Sequence, residues 1–227
     1  MYNPEQIKQK SEKEIKWEEQ FIKIEQIGDA IGRGIDKKVK ETIVALNLNG
    51  FPTIDSCEGH IEGGYPAPWV GIEVDNEPEE KYFNQNNIFK KLAEKYGVSC
   101  EEVKNGDHEK AHQEAWREIV KNKKTPECKQ WEKENKKLFI KLSKLLNEFY
   151  RDRKVPDNVK LVIKGMAGDS FRVHNGGDDY KARELEIRFG KSEALKKQKE
   201  GIEQRLPLYQ KEMQEFGKFL KEKYFRG

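Results

Sequence analysis

The 227-residue chain has no run of 18 apolar residues, so nothing in it reads as a membrane-spanning helix. Its first residues, Met1-Tyr2-Asn3-Pro4-Glu5, lack the basic and apolar regions of a secretory signal. Cysteine is scarce. Cys57, Cys100 and Cys128 are an odd number without framework spacing, which argues against a disulfide scaffold and for reduced thiols in a cytoplasm. Internal repeats and low-complexity linkers are missing as well. Apolar residues make up only 35% of the chain, so the core must be economical and much of the chain solvated helix. This shortage is not the signature of disorder, because aromatics reach 10% and the apolar residues recur with a period. The expectation is a soluble, cytoplasmic, single α+β domain over residues 1–227. A small, mostly antiparallel sheet of about five strands would be packed on one face by long charged helices. The helical middle, 78–154, reads as a possible insertion between two strand groups.

Helical spacing of Trp17, Phe21 and Ile24 predicts a first helix from Pro4 to about Ile27. Asp36 caps a second helix with the stripe Val39, Ile43 and Leu46, and Asn49-Gly50 ends it. Phe51–Ser56 and Trp69–Val74 read as a hairpin with a wide loop, Val70, Ile72 and Val74 sharing one face. Helices follow over Phe83–Tyr96 and Asp107–Lys121. Thr125-Pro126 opens a further one carrying Trp131, Leu138, Leu142, Leu145 and Phe149. Three short alternating strands are expected at Val159–Lys164, Ser170–His174 and Leu185–Phe189. The segment Lys191–Tyr224 reads as a long helix that Pro207 should kink or split.

Charge is uneven. Between Asp55 and Lys81 there are eight acids and one base, and between Lys121 and Lys154 twelve bases and five acids. A basic helix over 125–152 is a candidate surface for RNA, which would make the protein a nucleic-acid or protein-binding adaptor. A solvated helix face has the same composition.

The run Thr53-Ile54-Asp55-Ser56-Cys57-Glu58-Gly59-His60 places small and ionisable groups where a strand runs out, which is where sites collect. Gly59 permits a positive φ and a sharp turn. Cys57 reads as a thiolate nucleophile if His60 or a cation lowers its pKa, as half of a metal-ligand pair with His60, or as part of a plain tight turn. His108-Glu109-Lys110-Ala111-His112 matches the zinc-peptidase pattern, but its surroundings are polar all round, and no metal is assigned to it. The glycine-rich stretch Gly165–Gly177 lacks the Gly-Lys-Ser/Thr ending of a phosphate loop. Its alternation puts Ser170, Arg172 and His174 on one side. On a polar sheet face, Arg172 would grip a small anionic ligand and His174 would move a proton. The candidate site therefore comprises His60, Asp55 and His174 as catalytic groups, with Ser56, Cys57, Glu58, Gly59, Trp69 and Arg172 around the ligand.

The order Phe21 and Lys23 on a helix, Gly34-Ile35-Asp36, Asn47, then Thr53, Ser56-Cys57, Gly59 and Ile61, with Trp69 opening the next strand, resembles a known family. It is similar to the tRNA wybutosine-synthesising family of the third pathway enzyme, over about residues 17–74. In that family a Thr-Thr-Ser-Ser-Cys-Ser-Gly-Arg-Ile signature follows such a helix. Glu58 and His60 stand here in place of the Ser that follows its Cys and of its Arg. The resemblance implies a methyltransferase that uses S-adenosylmethionine on a modified guanosine of phenylalanine tRNA. By that implication this chain would be a nucleotide- or RNA-directed transferase with its site at the Ser56–His60 loop.

Overall fold

A computed structural model describes residues 10–28, 34–61, 64–166, 170–175, 177–190 and 201–227. Over these residues the chain divides into two compact units, 74–137 and the remainder. No described helix is long and apolar enough to cross a membrane.

The first unit is built on one antiparallel sheet of four strands, β1 (Thr53–Cys57), β2 (Trp69–Ile72), β3 (Leu161–Gly165) and β4 (Phe171–Asn175), in the spatial order β1-β2-β4-β3. Alternation sends Val70, Ile72, Phe171, Val173 and Leu161 to one face. There they meet α1 (Glu12–Gln26), α2 (Lys37–Leu48), the later turns of α6 (Pro126–Phe149) and α8 (Ile202–Arg226). Val39, Ile43 and Leu46 of α2 are buried as their spacing predicts, and Trp17 and Ile24 anchor α1. Phe51, fully buried between α2 and β1, is a position where truncation to Ala costs about 3–5 kcal/mol. Ser11 and Glu14 form a reciprocal capping box at the start of α1. The expected start at Pro4 lies outside the described residues.

The opposite sheet face carries Trp69, Gly71, Arg172 and His174. Over it lies α7 (Asp178–Phe189), with the Tyr180 ring stacked on His174 at 3.7 Å between centroids. This helix replaces the strand expected at Leu185–Phe189. Leu185 is 53% exposed, so its alternation with charged neighbours reports no sheet face. The helix instead buries Asp179, Tyr180 and Ala182. Asp179 accepts two guanidinium bonds from Arg205, at 2.7 and 2.9 Å, and the Tyr209 hydroxyl at 2.8 Å, which ties α7 to α8. Among the described residues the sheet therefore has four strands where about five were expected. Helix α8 runs through Pro207 without a break. Pro207 lies on the solvent side near the start of the helix, so the hydrogen bond it forgoes faces water.

The second unit packs α3 (Gln85–Tyr96), α4 (Cys100–Asn105) and α5 (Glu109–Ile119) around Phe89, Leu92, Val103, Ala111, Ala115 and Ile119. Helix α4 was not expected from the sequence. Its Ser99–Glu102 capping box nucleates it where the apolar period is too short to read.

Candidate functional site

Strand β1 is a sheet edge, and it runs out into the Ser56–His60 loop. Gly59 turns there with φ +83°. A Cβ at this position would meet Leu206 Cδ1 at 2.7 Å and the Ala67 carbonyl carbon at 2.9 Å, so only glycine fits. Gln210 of α8 donates to the Glu58 carbonyl at 3.0 Å, and the His60 amide donates to the Tyr65 carbonyl at 2.9 Å. The loop is thus fastened at both ends to the packed body of the unit.

Asp36 occupies the N-cap position of α2, where an aspartate ordinarily accepts from its own first turn. It makes no such bond. The cap comes from Glu58, whose carboxylate accepts the Lys38 amide at 3.0 Å from 20 residues away. Asp36 turns instead to the loop. It accepts the Glu58 amide at 3.0 Å, and its Oδ2 lies 3.6 Å from His60 Nε2. Cys57 Sγ completes a group in which one ligand-type atom from each of Asp36, Cys57 and His60 lies within 4.8 Å of the other two. The Gly59 amide donates to Cys57 Sγ at 3.3 Å. Burial pushes the Cys57 thiol up; the Gly59 amide opposes this, and the Asp36 and Glu58 carboxylates add to it. Left to these neighbours the sulfur holds its proton at neutral pH, so none of the described residues around it activates it as a free nucleophile.

A cleft of about 870 Å³ follows the outer edge of β1, between the end of α1 and the start of α2. Its apolar walls are Ile24, Ile27, Ile35, Ile43 and Ile54, and its polar groups include Gln20, Asn47, Thr53, Ser56 and the Asp36–Cys57–His60 group. Asp55 also lines it, and among the described residues no lysine or arginine does. Asn47 Oδ1 accepts the Thr53 amide at 3.2 Å, and Asn47 Nδ2 donates to Thr53 Oγ1 at 3.1 Å. One free amide of the edge strand is thereby satisfied.

Of the residues singled out from sequence, Asp55, Ser56, Cys57 and His60 line this cleft, while Trp69, Arg172 and His174 are not among its lining residues. Arg172 Nη2 donates to Asp55 Oδ2 at 2.9 Å, and its guanidinium lies 3.7 Å from the Trp69 ring centre. His174 is 3% exposed, with Nδ1 2.7 Å from the Asn175 carbonyl. Burial lowers its pKa; the Asn175 carbonyl and Glu184 oppose this, and Lys164 and Arg172 add to it. The Tyr180 hydroxyl, pushed up to about 12 chiefly by burial, stays protonated. Glu58 caps α2, and Gly59 is buried in the turn. Asp36 and Gln210 are the parts of the site that sequence reasoning missed. The helix-capping signature of Asp36 gave no sign that its side chain would face the loop.

The His108/His112 pair has other partners. His108 lies before α5 rather than on it, and its Nδ1 accepts the Ala111 amide at 3.2 Å. His112 Nδ1 lies 2.7 Å from the Val103 carbonyl. On α6, Lys133, Lys136, Lys137 and Lys144 are exposed, while Lys141 donates to the Asn49 carbonyl at 2.7 Å.

Among known proteins the chain matches no family model, no curated protein and no solved structure.

Proposed function

We propose that the cleft along β1 is the cofactor site of a group-transfer enzyme acting on a nucleotide or RNA, with its working end at the Ser56–His60 loop. The observation that carries this reading is the make-up of the cleft. Its walls are isoleucine, its rim is amide, hydroxyl and carboxylate, and its described lining holds no lysine or arginine. Apolar walls with a few placed polar groups are the usual build of a small-molecule site, and the volume falls in the range such sites occupy. A polyphosphate would need a cation or a free helix N-terminus to offset its charge. The nearest helix start, that of α2, is already capped by Glu58. Asp55 is paired with Arg172, and the Asp36 carboxylate favours a ligand that carries positive charge. S-adenosylmethionine, which the resemblance over residues 17–74 implies, has an apolar body, a nucleoside, a sulfonium and an ammonium group. Those features suit the cleft better than an RNA backbone does, so the RNA or nucleotide is the acceptor rather than the cleft's occupant.

The test is thermal unfolding with S-adenosylmethionine, its neutral thioether product S-adenosylhomocysteine, and ATP. A ligand at 100 times its Kd adds about 2.7 kcal/mol of stability. The expected order is S-adenosylmethionine first, the thioether weaker and ATP without effect. Stabilisation by ATP alone, or by none of the three, would overturn the reading.

A further inference from the structure

We propose that Asp36, Cys57 and His60 form a binding site for one borderline-soft divalent cation, zinc above all, at the loop end of the cleft. The inference goes beyond the transferase reading and does not depend on it.

Three observations support it. The first is the donor set. One carboxylate, one thiol and one imidazole come together from two places in the chain, Asp36 from one and Cys57 and His60 from the other, and no described lysine or arginine lines the cleft beside them. Oxygen, sulfur and nitrogen in one cluster suit zinc rather than calcium or magnesium, which take oxygen. The second is spacing. His60 Nε2 and Asp36 Oδ2 stand 3.6 Å apart, too far for a good hydrogen bond. Ligands about 2.0–2.3 Å from a tetrahedral zinc stand about 3.3–3.7 Å from one another. All three donor atoms already lie within 4.8 Å of one another, so side-chain rotation closes the set. The third is the surrounding support. Asp36 is released from capping its own helix because Glu58 does that work, and it is aimed at the loop by the Glu58 amide. Cys57 Sγ receives the Gly59 amide. Hydrogen bonds of this kind to the ligand atoms orient them and tune the metal. The turn that Gly59 makes with its positive φ brings Cys57 and His60 to one side of the loop.

Three protein ligands leave a tetrahedral ion one open position, the arrangement of a reactive rather than a purely structural zinc. All three residues line the cleft, so that position opens to the cleft's occupant or to water. On binding, the Cys57 thiol gives its proton to solvent and the sulfur coordinates as thiolate, without change of oxidation state. Zinc supplies a positive charge that the described surroundings of Cys57 do not. It also takes His60 out of use as a free base.

The test uses the full chain stripped with a chelator and titrated with zinc, then with cobalt(II) as a spectroscopic stand-in, with no cofactor present. The expected result is one zinc per chain, proton release on binding, and a cobalt spectrum with tetrahedral visible bands and a thiolate-to-cobalt charge-transfer band. Cys57→Ser removes the charge-transfer band. His60→Ala, at a partly exposed position where folding is not at stake, weakens zinc binding by more than about 100-fold. The double variant His108→Ala/His112→Ala binds as the parent does. No stoichiometric zinc, a cobalt spectrum without the thiolate band, or binding unchanged by both Cys57→Ser and His60→Ala would overturn the inference. Zinc bound with no response to S-adenosylmethionine keeps the inference and removes the transferase reading. A cofactor response without zinc binding does the reverse.

Discussion

Asp55 reaches Arg172 across the strand that separates them: their side chains pair at 2.9 Å over Gly71 of β2, where a Cβ would lie 1.7 Å from Asp55 Oδ1. Gly71 is the register partner of Arg172. Its missing side chain lets an acid on the edge strand and a base on β4 meet above the middle strand. The pair orders Asp55 at the rim of the cleft and fixes Arg172 flat on Trp69.

Gly71→Ala should therefore expel the Asp55 carboxylate and destabilise the protein by about 1–3 kcal/mol. In an Asp55→Ala background the same substitution should cost clearly less, because the clash and the pair are already gone. Urea unfolding of the two single variants and the double variant measures the coupling. Additive costs would contradict the geometry.

Gly59→Ala should be the harsher glycine substitution. Alanine in the left-handed region costs about 1–2 kcal/mol, and the nearest backbone obstacle, Ala67, cannot rotate away. A loss above about 2 kcal/mol is expected in thermal or denaturant unfolding. A variant within 0.5 kcal/mol (roughly the noise of a surface change) would show that the loop is not packed as described.

His174 sets a pH dependence. Burial depresses its folded pKa below the free imidazole value of about 6.5. The unfolded chain then takes up a proton at a higher pH than the folded one. The stability His174 contributes is present above about pH 6.5 and is lost as the pH falls toward the folded pKa. His174→Phe, which keeps a ring against Tyr180, should flatten that part of the stability-against-pH curve. An unchanged slope in the variant would assign the dependence to other groups.

The lysines of α6 should separate by role. Lys141 satisfies the Asn49 carbonyl past the end of α2 and sits over the Phe51 ring at 4.7 Å. Lys141→Ala should cost about 0.5–1 kcal/mol, and Lys144→Ala should stay within about 0.5 kcal/mol. Equal effects of the two on the unfolding midpoint would contradict this assignment.

The sequence made most of the sheet legible, and the cause is local. Val70 and Ile72 of β2 and Phe171 and Val173 of β4 alternate with residues that face the other way, as a sheet with a buried side requires. Asn49-Gly50 closes α2 as a helix end should. Leu185–Phe189 misled because the same alternation occurs on α7, where Leu185 simply faces solvent. The loop was visible from its residue types, but its partners were not. Asp36 carries the signature of a helix cap, and only the folded chain shows that Glu58 has taken that task from 20 residues away. Gln210, at the far end of the chain, holds the loop through Lys38 and the Glu58 carbonyl. Contacts over 152 to 172 residues leave no periodic trace in a sequence.

The central claim is that the cleft beside β1, ending at the Ser56–His60 loop, is where this protein binds its small-molecule partner. Calorimetric titration of S-adenosylmethionine into the parent protein and into Ser56→Phe tests it most directly. The substitution puts a ring into the cleft from the edge strand and leaves Asp36, Cys57 and His60 themselves unsubstituted. The account predicts saturable binding at one cofactor per chain in the parent, and loss of that binding in Ser56→Phe while its thermal midpoint stays close to the parent's. Equal binding by both proteins, or none by the parent, would contradict it.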